Sequence, residues 1–242
     1  MIKTVQTHRC PHCGSSDLVK NGTDYKGAQK YHCRRCGAYG TVEARQRYSA
    51  ADKARILRAY QERVSLRGLE RIFGVARQTV LRWLRAAAAA LPNLARTLAP
   101  PRADDILELD ELWSFVHHKG NKRWVWIALC RRTRQIVAYY IGDRSEASCR
   151  ALWQRIPATY KHCRTCSDFW DAYQKVLPAT THQSVTKASG QLAHVERWNN
   201  TLRQRLARFV RKSLSFSKSE VLHEAVLRLF IHRYNRDCLS VA

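Results

Sequence analysis

Two pairs of cysteines stand near the start of the chain, Cys10-Pro-His-Cys13 and Cys33-Arg-Arg-Cys36. Two C-x2-C knuckles separated by nineteen residues can deliver four thiolates to one tetrahedral Zn2+. Gly14 and Gly37 follow the knuckles, where a tight turn brings backbone amides toward the sulfurs. The interval between them, with Tyr25, Lys26 and Gly27 at its middle, fits a hairpin. So small a module cannot hold itself together by apolar burial, and one structural zinc is expected to supply folding free energy on the order of 10 kcal/mol. His12 and His32 read as bystanders beside a four-thiolate site. The module either holds a basic ribbon against DNA or braces a neighbour, and the spacing does not choose between these.

A second chemistry lies in the acids. Asp and Glu number only 19 against 43 Lys and Arg, and none occurs from Leu112 to Gly142. Asp110 follows an alternating stretch, Ile106-Leu-Glu-Leu, in which Glu108 and Asp110 share a face and Glu111 points away. Asp168 ends a second short strand pattern, Cys163 to Ser167. Glu196 opens a long helical pattern with Asn199, Asn200 and Arg203 at i+3, i+4 and i+7. A bridging carboxylate with two flanking ones is the minimum cage for two hard cations that neutralise the attacking and leaving oxygens of a phosphodiester exchange. Asp110, Asp168 and Glu196 supply that set. Glu108 is the rival on the first strand, and Asp171, suited to a helix start, is the rival of Asp168. His194, beside Glu196, reads as structural, and Cys163 and Cys166 as small buried residues.

The elements that position these groups form three blocks. After the cysteine module (1–47) comes a helical module (48–90). Ser49-Ala-Ala-Asp52 opens its first helix, with Ala54, Leu57 and Tyr60 on one face. Ser65 precedes a second helix, with Gly68 inside it, and Gly74 breaks it. A third helix turns Val80, Trp83 and Leu84 inward and Arg77, Gln78, Thr79, Arg82 and Arg85 outward. This is a helix-turn-helix layout, and its Arg/Gln/Thr face suits the major groove of double-stranded DNA. A Pro-rich linker (91–104) follows, with Pro92, Pro100 and Pro101. The third block (105–242) reads βββαβ: strands Ile106–Asp110, 124–129 and 135–141, a helix over 145–156, and a strand ending at Asp168. A helical stretch over 195–210 and a last helix after Ser219 complete it. Such an order places Asp110 and Asp168 side by side in a mixed sheet. The fold class is α+β and multidomain.

The charge is spread along the chain. Residues 1–100 carry a net +13 (19 minus 6) and residues 101–242 a net +11 (24 minus 13), so both halves seek a polyanion. A formal +24 far exceeds what solubility asks. No run of about 18 apolar residues is present, which excludes a spanning helix. The first ten residues lack a secretory apolar core, so the nine cysteines read as reduced thiols or metal ligands of a cytoplasmic protein.

Taken as a set, these blocks resemble the transposases of the insertion sequence 1 family, in a form that fuses a zinc-finger/helix-turn-helix part to a catalytic part. The residues that carry the resemblance are Cys10–Cys36, the segment around Arg77–Leu84, Glu108-Leu-Asp-Glu-Leu-Trp113, Lys122-Arg-Trp-Val-Trp126, Ser167-Asp-Phe-Trp-Asp-Ala-Tyr173 and Val195-Glu-Arg-Trp-Asn-Asn-Thr-Leu-Arg203. The resemblance implies an RNase H-like catalytic domain and a DDE triad at Asp110, Asp168 and Glu196, holding two Mg2+ (or Mn2+ in their place). It places Arg203, seven residues after the Glu, against the DNA end. It implies double-stranded DNA partners (terminal inverted repeats and target), at least two protomers pairing two ends, and a bacterial, nucleoid-associated setting. Two other classes share parts of the pattern. A zinc-ribbon/helix-turn-helix transcription regulator needs no acid trio. An RNase H-like nuclease or resolvase keeps the trio but lacks strand transfer.

Overall fold

The computed structural model describes residues 7–25, 27–41 and 48–240. Lys26 and both ends of the expected cysteine module, residues 1–6 and 42–47, lie outside the described residues. The chain divides into two compact units, Met1–Ala51 and Asp52–Ala242. Among the described residues no helix is long and apolar enough to cross a membrane.

The first unit holds an antiparallel three-stranded sheet, β1 (Leu18–Thr23), β2 (Gln29–Cys33) and β3 (Tyr39–Thr41), in that order. Its strands are short and mostly exposed, and among its described residues only Cys10 and Cys33 are buried. The small unit therefore has no described apolar core apart from its sulfurs.

The second unit begins with three helices, α1 (Ala50–Tyr60, entered at the boundary), α2 (Leu66–Phe73) and α3 (Arg77–Ala89). Ser65 caps α2 by accepting from the Gly68 amide at 3.0 Å. Gly68 is buried, and a Cβ there would lie 3.0 Å from Val64 Cγ1, so the residue is small because the α1–α2 turn packs onto it. The inner face of α1 is Ile56 and Tyr60; Ala54, expected inside, is exposed. Val80, Leu84 and Ala88 are the buried stripe of α3. The stretch 91–104 lies within this same unit. Its Leu94–Thr97 segment makes a 3-10 turn with Thr97 buried, and Asn235 Nδ2 donates to Thr97 Oγ1 at 2.9 Å.

A mixed five-stranded sheet forms the centre: β4 (Ile106–Phe115), β5 (Lys122–Cys130), β6 (Ile136–Gly142), β7 (Arg164–Ser167) and β8 (His182–Ser184), in the order β6-β5-β4-β7-β8. The first three form an antiparallel meander, while β7 runs parallel to both β4 and β8. Helices α4 (Glu146–Arg155) and α5 (Asp171–Val176) cover one face. Helices α6 (Ala193–Arg205) and α7 (Glu220–Leu239) pack against the other. Alternation along β4 sends Leu107 and Leu109 into the core with Trp126, Leu152 and Tyr173, and turns Glu108 and Asp110 toward α6.

The sequence pattern set the strand positions but not their ends. β4 runs five residues past Asp110, because Leu112, Ser114 and Phe115 still pair with β5 as buried positions. The helical pattern over 195–210 stops at Arg205. There the Arg205 carbonyl accepts the Arg63 amide at 2.7 Å, and the chain continues as a 3-10 turn over Ala207–Phe209. Strand β8 is short and polar and was not expected.

Candidate active site

The parallel pairing of β4 with β7 sets the first geometry. Its last ladder pair is Glu108 with Cys166, so the next same-face residues along the two strands are Asp110 and Asp168, side by side at the sheet's centre. Asp168 stands one residue past the end of β7, and its Oδ1 accepts the Trp170 amide at 3.0 Å. Glu196, in the first turn of α6, is exposed.

Asp110 is the electrostatic centre of this group. Burial pushes its carboxyl up to about 7, and the like charges of Glu111, Asp168 and Glu196 add to the shift. It accepts from Asn199 Nδ2 at 2.7 Å, the Glu111 amide lowers its pKa in part, and no described Lys or Arg forms an ion pair with it. Asn199, one turn after Glu196 on α6, is itself buried, and its Oδ1 has no partner among the described residues. Sequence reasoning placed Asn199 on the Glu196 face without giving it a task; an amide three residues on from a helical acid was the available signal.

The neighbouring acids Glu108 and Glu111 are each paired with an Arg. Glu108, fully buried, accepts from Arg131 Nε at 2.8 Å, from the His194 and Val195 amides at 3.1 and 3.0 Å, and bonds His194 Nδ1 at 2.7 Å. These bonds anchor the N-terminus of α6 to β4, where a carboxylate also suits the helix dipole. Glu108 is thus the residue that sets where Glu196 and Asn199 fall, and His194 is structural. Glu111, on the opposite face, accepts from Arg144 Nε at 2.7 Å and Tyr173 Oη at 2.9 Å. The Arg144 guanidinium sits over Trp124 and Trp170, 4.8 and 3.9 Å from the ring centroids, and so braces the segment that carries Asp168. Asp171 is exposed and pairs with Lys175 at 2.6 Å as an i, i+4 pair on α5. Cys163 and Cys166 are buried, and burial pushes the Cys163 thiol up to about 11.

Arg203 is half-buried two turns along α6. Burial and the charge of Arg211 lower its pKa, while Asp110 opposes that shift. Its Nε–H is buried and has no hydrogen-bond partner among the described residues. On α3, Arg77, Gln78, Arg82 and Arg85 are exposed and Thr79 is half-buried. Arg77 Nε pairs with Glu70 at 3.1 Å, both side chains being about half exposed.

The four cysteines form a separate cluster. All four sulfurs lie within 4.8 Å of one another, with Cys10–Cys36 at 3.7 Å and Cys13–Cys33 at 3.6 Å. A tetrahedron with Zn–S bonds of about 2.3 Å has an edge of about 3.8 Å, so the sulfurs stand at zinc-ligand spacing. Gly14 and Gly37, at φ +71° and +70°, close the two knuckle turns onto the Cys10 and Cys33 carbonyls. The Cys13 and His12 amides hold the Cys10 thiol down to about 6.

Among the described residues the cysteine set is the only group of three or more metal-type ligands within 4.8 Å. Three unscreened carboxylates repel one another. In a two-ion cage, moreover, ligands of different ions stand as far as about 8 Å apart, from two bonds of about 2.1 Å and an ion separation of about 4 Å. The donor set is therefore all-oxygen and unneutralised, as hard divalent cations require.

Comparison with known proteins bears on this site. A family model described as IS1 transposase matches residues 105–236, which include Asp110, Asp168, Glu196 and Arg203. The chain belongs to the IS1 transposase family. It is 35% identical over 131 residues to the insertion element iso-IS1n protein InsB of Shigella dysenteriae, covering 53% of this chain and 95% of that protein. It is 37% identical over 125 residues to the insertion element IS1 protein InsB of Shigella flexneri, covering 52% and 92%. It is 34% identical over 143 residues to the insertion element IS1 4 protein InsB of Escherichia coli K12, covering 58% and 83%. The family match begins at residue 105, after the cysteine cluster and the three N-terminal helices.

Proposed function

We propose that the protein is a DNA transposase that binds the terminal inverted repeats of a mobile element, cuts its ends and joins them to target DNA. The observation that carries this reading is the state of Asp110. In a chain with 43 Lys and Arg, a partly buried carboxylate with no ion pair among the described residues stands among other acids, while Glu108 and Glu111 beside it are each paired. Folding brings a guanidinium to Glu108 and to Glu111 and leaves the trio without one, so a bound divalent cation would favour the ionised form of Asp110.

Asp110, placed centrally, would be shared between two Mg2+ (or Mn2+), with Asp168 and Glu196 each completing one. Bound divalent ions supply charge neutralisation at the attacking and leaving oxygens of an in-line phosphodiester exchange, with no covalent protein intermediate. Asn199 holds the Asp110 carboxylate by its Oδ2. Glu108 fixes the start of α6, and the half-exposed Arg203 guanidinium would meet a backbone phosphate near the cut end. The fold supports an RNase H-like domain: an antiparallel meander flanked by a parallel strand, with acids at adjacent strand positions.

The helices α1–α3 act as a helix-turn-helix whose α3 lays Arg77, Gln78, Thr79, Arg82 and Arg85 in the major groove. The Arg77–Glu70 pair is a surface pair worth about 0–1 kcal/mol, so Arg77 is released at little cost. Cys10, Cys13, Cys33 and Cys36 hold one structural Zn2+. At least two protomers pair the two element ends.

The test is cleavage and strand transfer on a labelled terminal-repeat duplex with Mg2+. Asp110→Asn, Asp168→Asn and Glu196→Gln should each abolish both steps; full cleavage by any one of them, folded, removes that residue from the site. Metal analysis of the same full-length preparation should give one zinc per chain, and a folded, zinc-free protein would refute the cysteine assignment.

A further inference from the structure

Away from the acids, a cleft of about 420 Å3 opens between the turn after β4 and the segment that follows α6. Phe115 and Phe216 lie at its base, their ring centroids 5.6 Å apart and their planes 30° apart. Lys119, Arg211 and Lys212 line it, and no Asp or Glu does. At its rim Leu214 is 97% exposed, inside a run from Arg197 to Lys218 that holds seven Lys or Arg and no acid. Both walls are fixed. Val116 pairs with Ser217, and the His117 amide donates to the Ser217 carbonyl at 2.7 Å. Ser217 is buried, with its Oγ bonded to His223 Nδ1 at 2.6 Å. The cleft is therefore built, and nothing in the catalytic reading uses it.

We propose that Leu214 wedges into bound DNA and that the Phe115/Phe216 cleft receives the base so unstacked. This rests on the DNA-transposase reading. A fully exposed leucine among cations is suited to entering a base step, as apolar wedges do in DNA-bending proteins. Aromatic faces stack any base, while Lys119, Arg211 and Lys212 neutralise the flanking phosphates. The volume lies within the range of small-ligand sites. Phe115 lies five residues beyond Asp110 on β4, about 17 Å along the strand at about 3.4 Å per residue, and the odd spacing turns its side chain to the other face, so the cleft is separate from the acid site. Arg211 and Asp110 both act on the Arg203 guanidinium, which ties the cleft's rim to the acid site electrostatically.

A base that is already unpaired costs less to extrude. The experiment is equilibrium binding, by fluorescence anisotropy in Mg2+-free buffer, of the full chain to two short duplexes that differ only in one mismatched pair. The wild type should bind the mismatched duplex about five- to a hundredfold tighter. Leu214→Ala and Phe216→Leu should each cut that preference to within about twofold, with mismatched-duplex affinity falling far more than matched-duplex affinity, because the phosphate contacts remain. Leu214 packs on little, so its variant stays folded. Equal wild-type affinity for the two duplexes, or a preference that survives both substitutions, overturns the wedge and leaves the transposase reading standing. Binding to neither duplex would overturn the transposase reading itself.

Discussion

Replacing Asp110 by Asn should make the protein more stable while removing its activity. The Asp110 carboxylate accepts from Asn199 Nδ2 at 2.7 Å and from the Glu111 amide, and an Asn side-chain oxygen can still accept such donors. Its pKa moves from 3.8 to about 7, through burial first and then the charges of Glu111, Asp168 and Glu196. Three units correspond to about 4 kcal/mol of cost for holding the ionised form in the fold, and relaxation and partial solvent contact reduce this to about 2–4 kcal/mol. The sign follows from the raised folded pKa. The favourable contribution is fully present below about pH 4, where Asp110 is protonated folded or unfolded, and it is lost as pH rises through about 7. Thermal unfolding at pH 8 without added Mg2+ should therefore show Asp110→Asn above wild type, by about 5–15 °C for a unit of this size. The gap should narrow as pH falls below 7 and close near pH 4. Mg2+ should be left out rather than chelated, because a chelator would also strip the cysteine cluster. Adding Mg2+ should raise the wild type toward the variant, by about 2.7 kcal/mol at a hundredfold excess over Kd, and move the variant less. A variant less stable than wild type at pH 8, or a gap unchanged with pH, would make Asp110 a structural acid and refute the reasoning.

Two further outcomes follow from the paired groups. Glu108→Ala leaves Arg131 and the start of α6 without their acceptor, so urea unfolding should show a loss of about 3–5 kcal/mol; Glu108→Gln, which keeps one acceptor oxygen, should lose less and retain measurable cleavage. His223 is buried and held down to about 3 by burial, then by Arg208 and Arg123. The unfolded chain takes its proton near pH 6.5 while the fold does not, so this part of the stability is full above about 6.5 and declines toward pH 3. By pH 5 the loss is about 2 kcal/mol. His223→Gln should lose that much less than wild type between pH 7 and pH 5 in urea midpoints, and parallel pH curves would show that the imidazole is not buried neutral.

Local periodicity made much of the site legible. Alternation along 106–111 put Glu108 and Asp110 on one face and Glu111 on the other, and the structure keeps that division. Helical spacing put Asn199 and Arg203 on the Glu196 face. The cysteine spacing anticipated four convergent sulfurs because two knuckles on neighbouring turns can hardly diverge. Element ends were less legible. The helical pattern over 195–210 carries no stop signal, and what ends α6 is an amide from Arg63, over a hundred residues away in sequence. Gly68 looked like a flaw in a helix until its contact with Val64 was visible.

From the chain alone came the cast of charged groups, the faces they occupy and the sulfur cluster, since all of these depend on side-chain periods a few residues long. Only the tertiary structure separated one acid from another. Glu108 and Glu111 meet guanidinium groups supplied from more than twenty residues away, and Asp110 meets further acids, the Asn199 and Glu111 amides and no ion-pair partner among the described residues. Neutralisation depends on what surrounds a group in three dimensions, and that is the property no local pattern encodes.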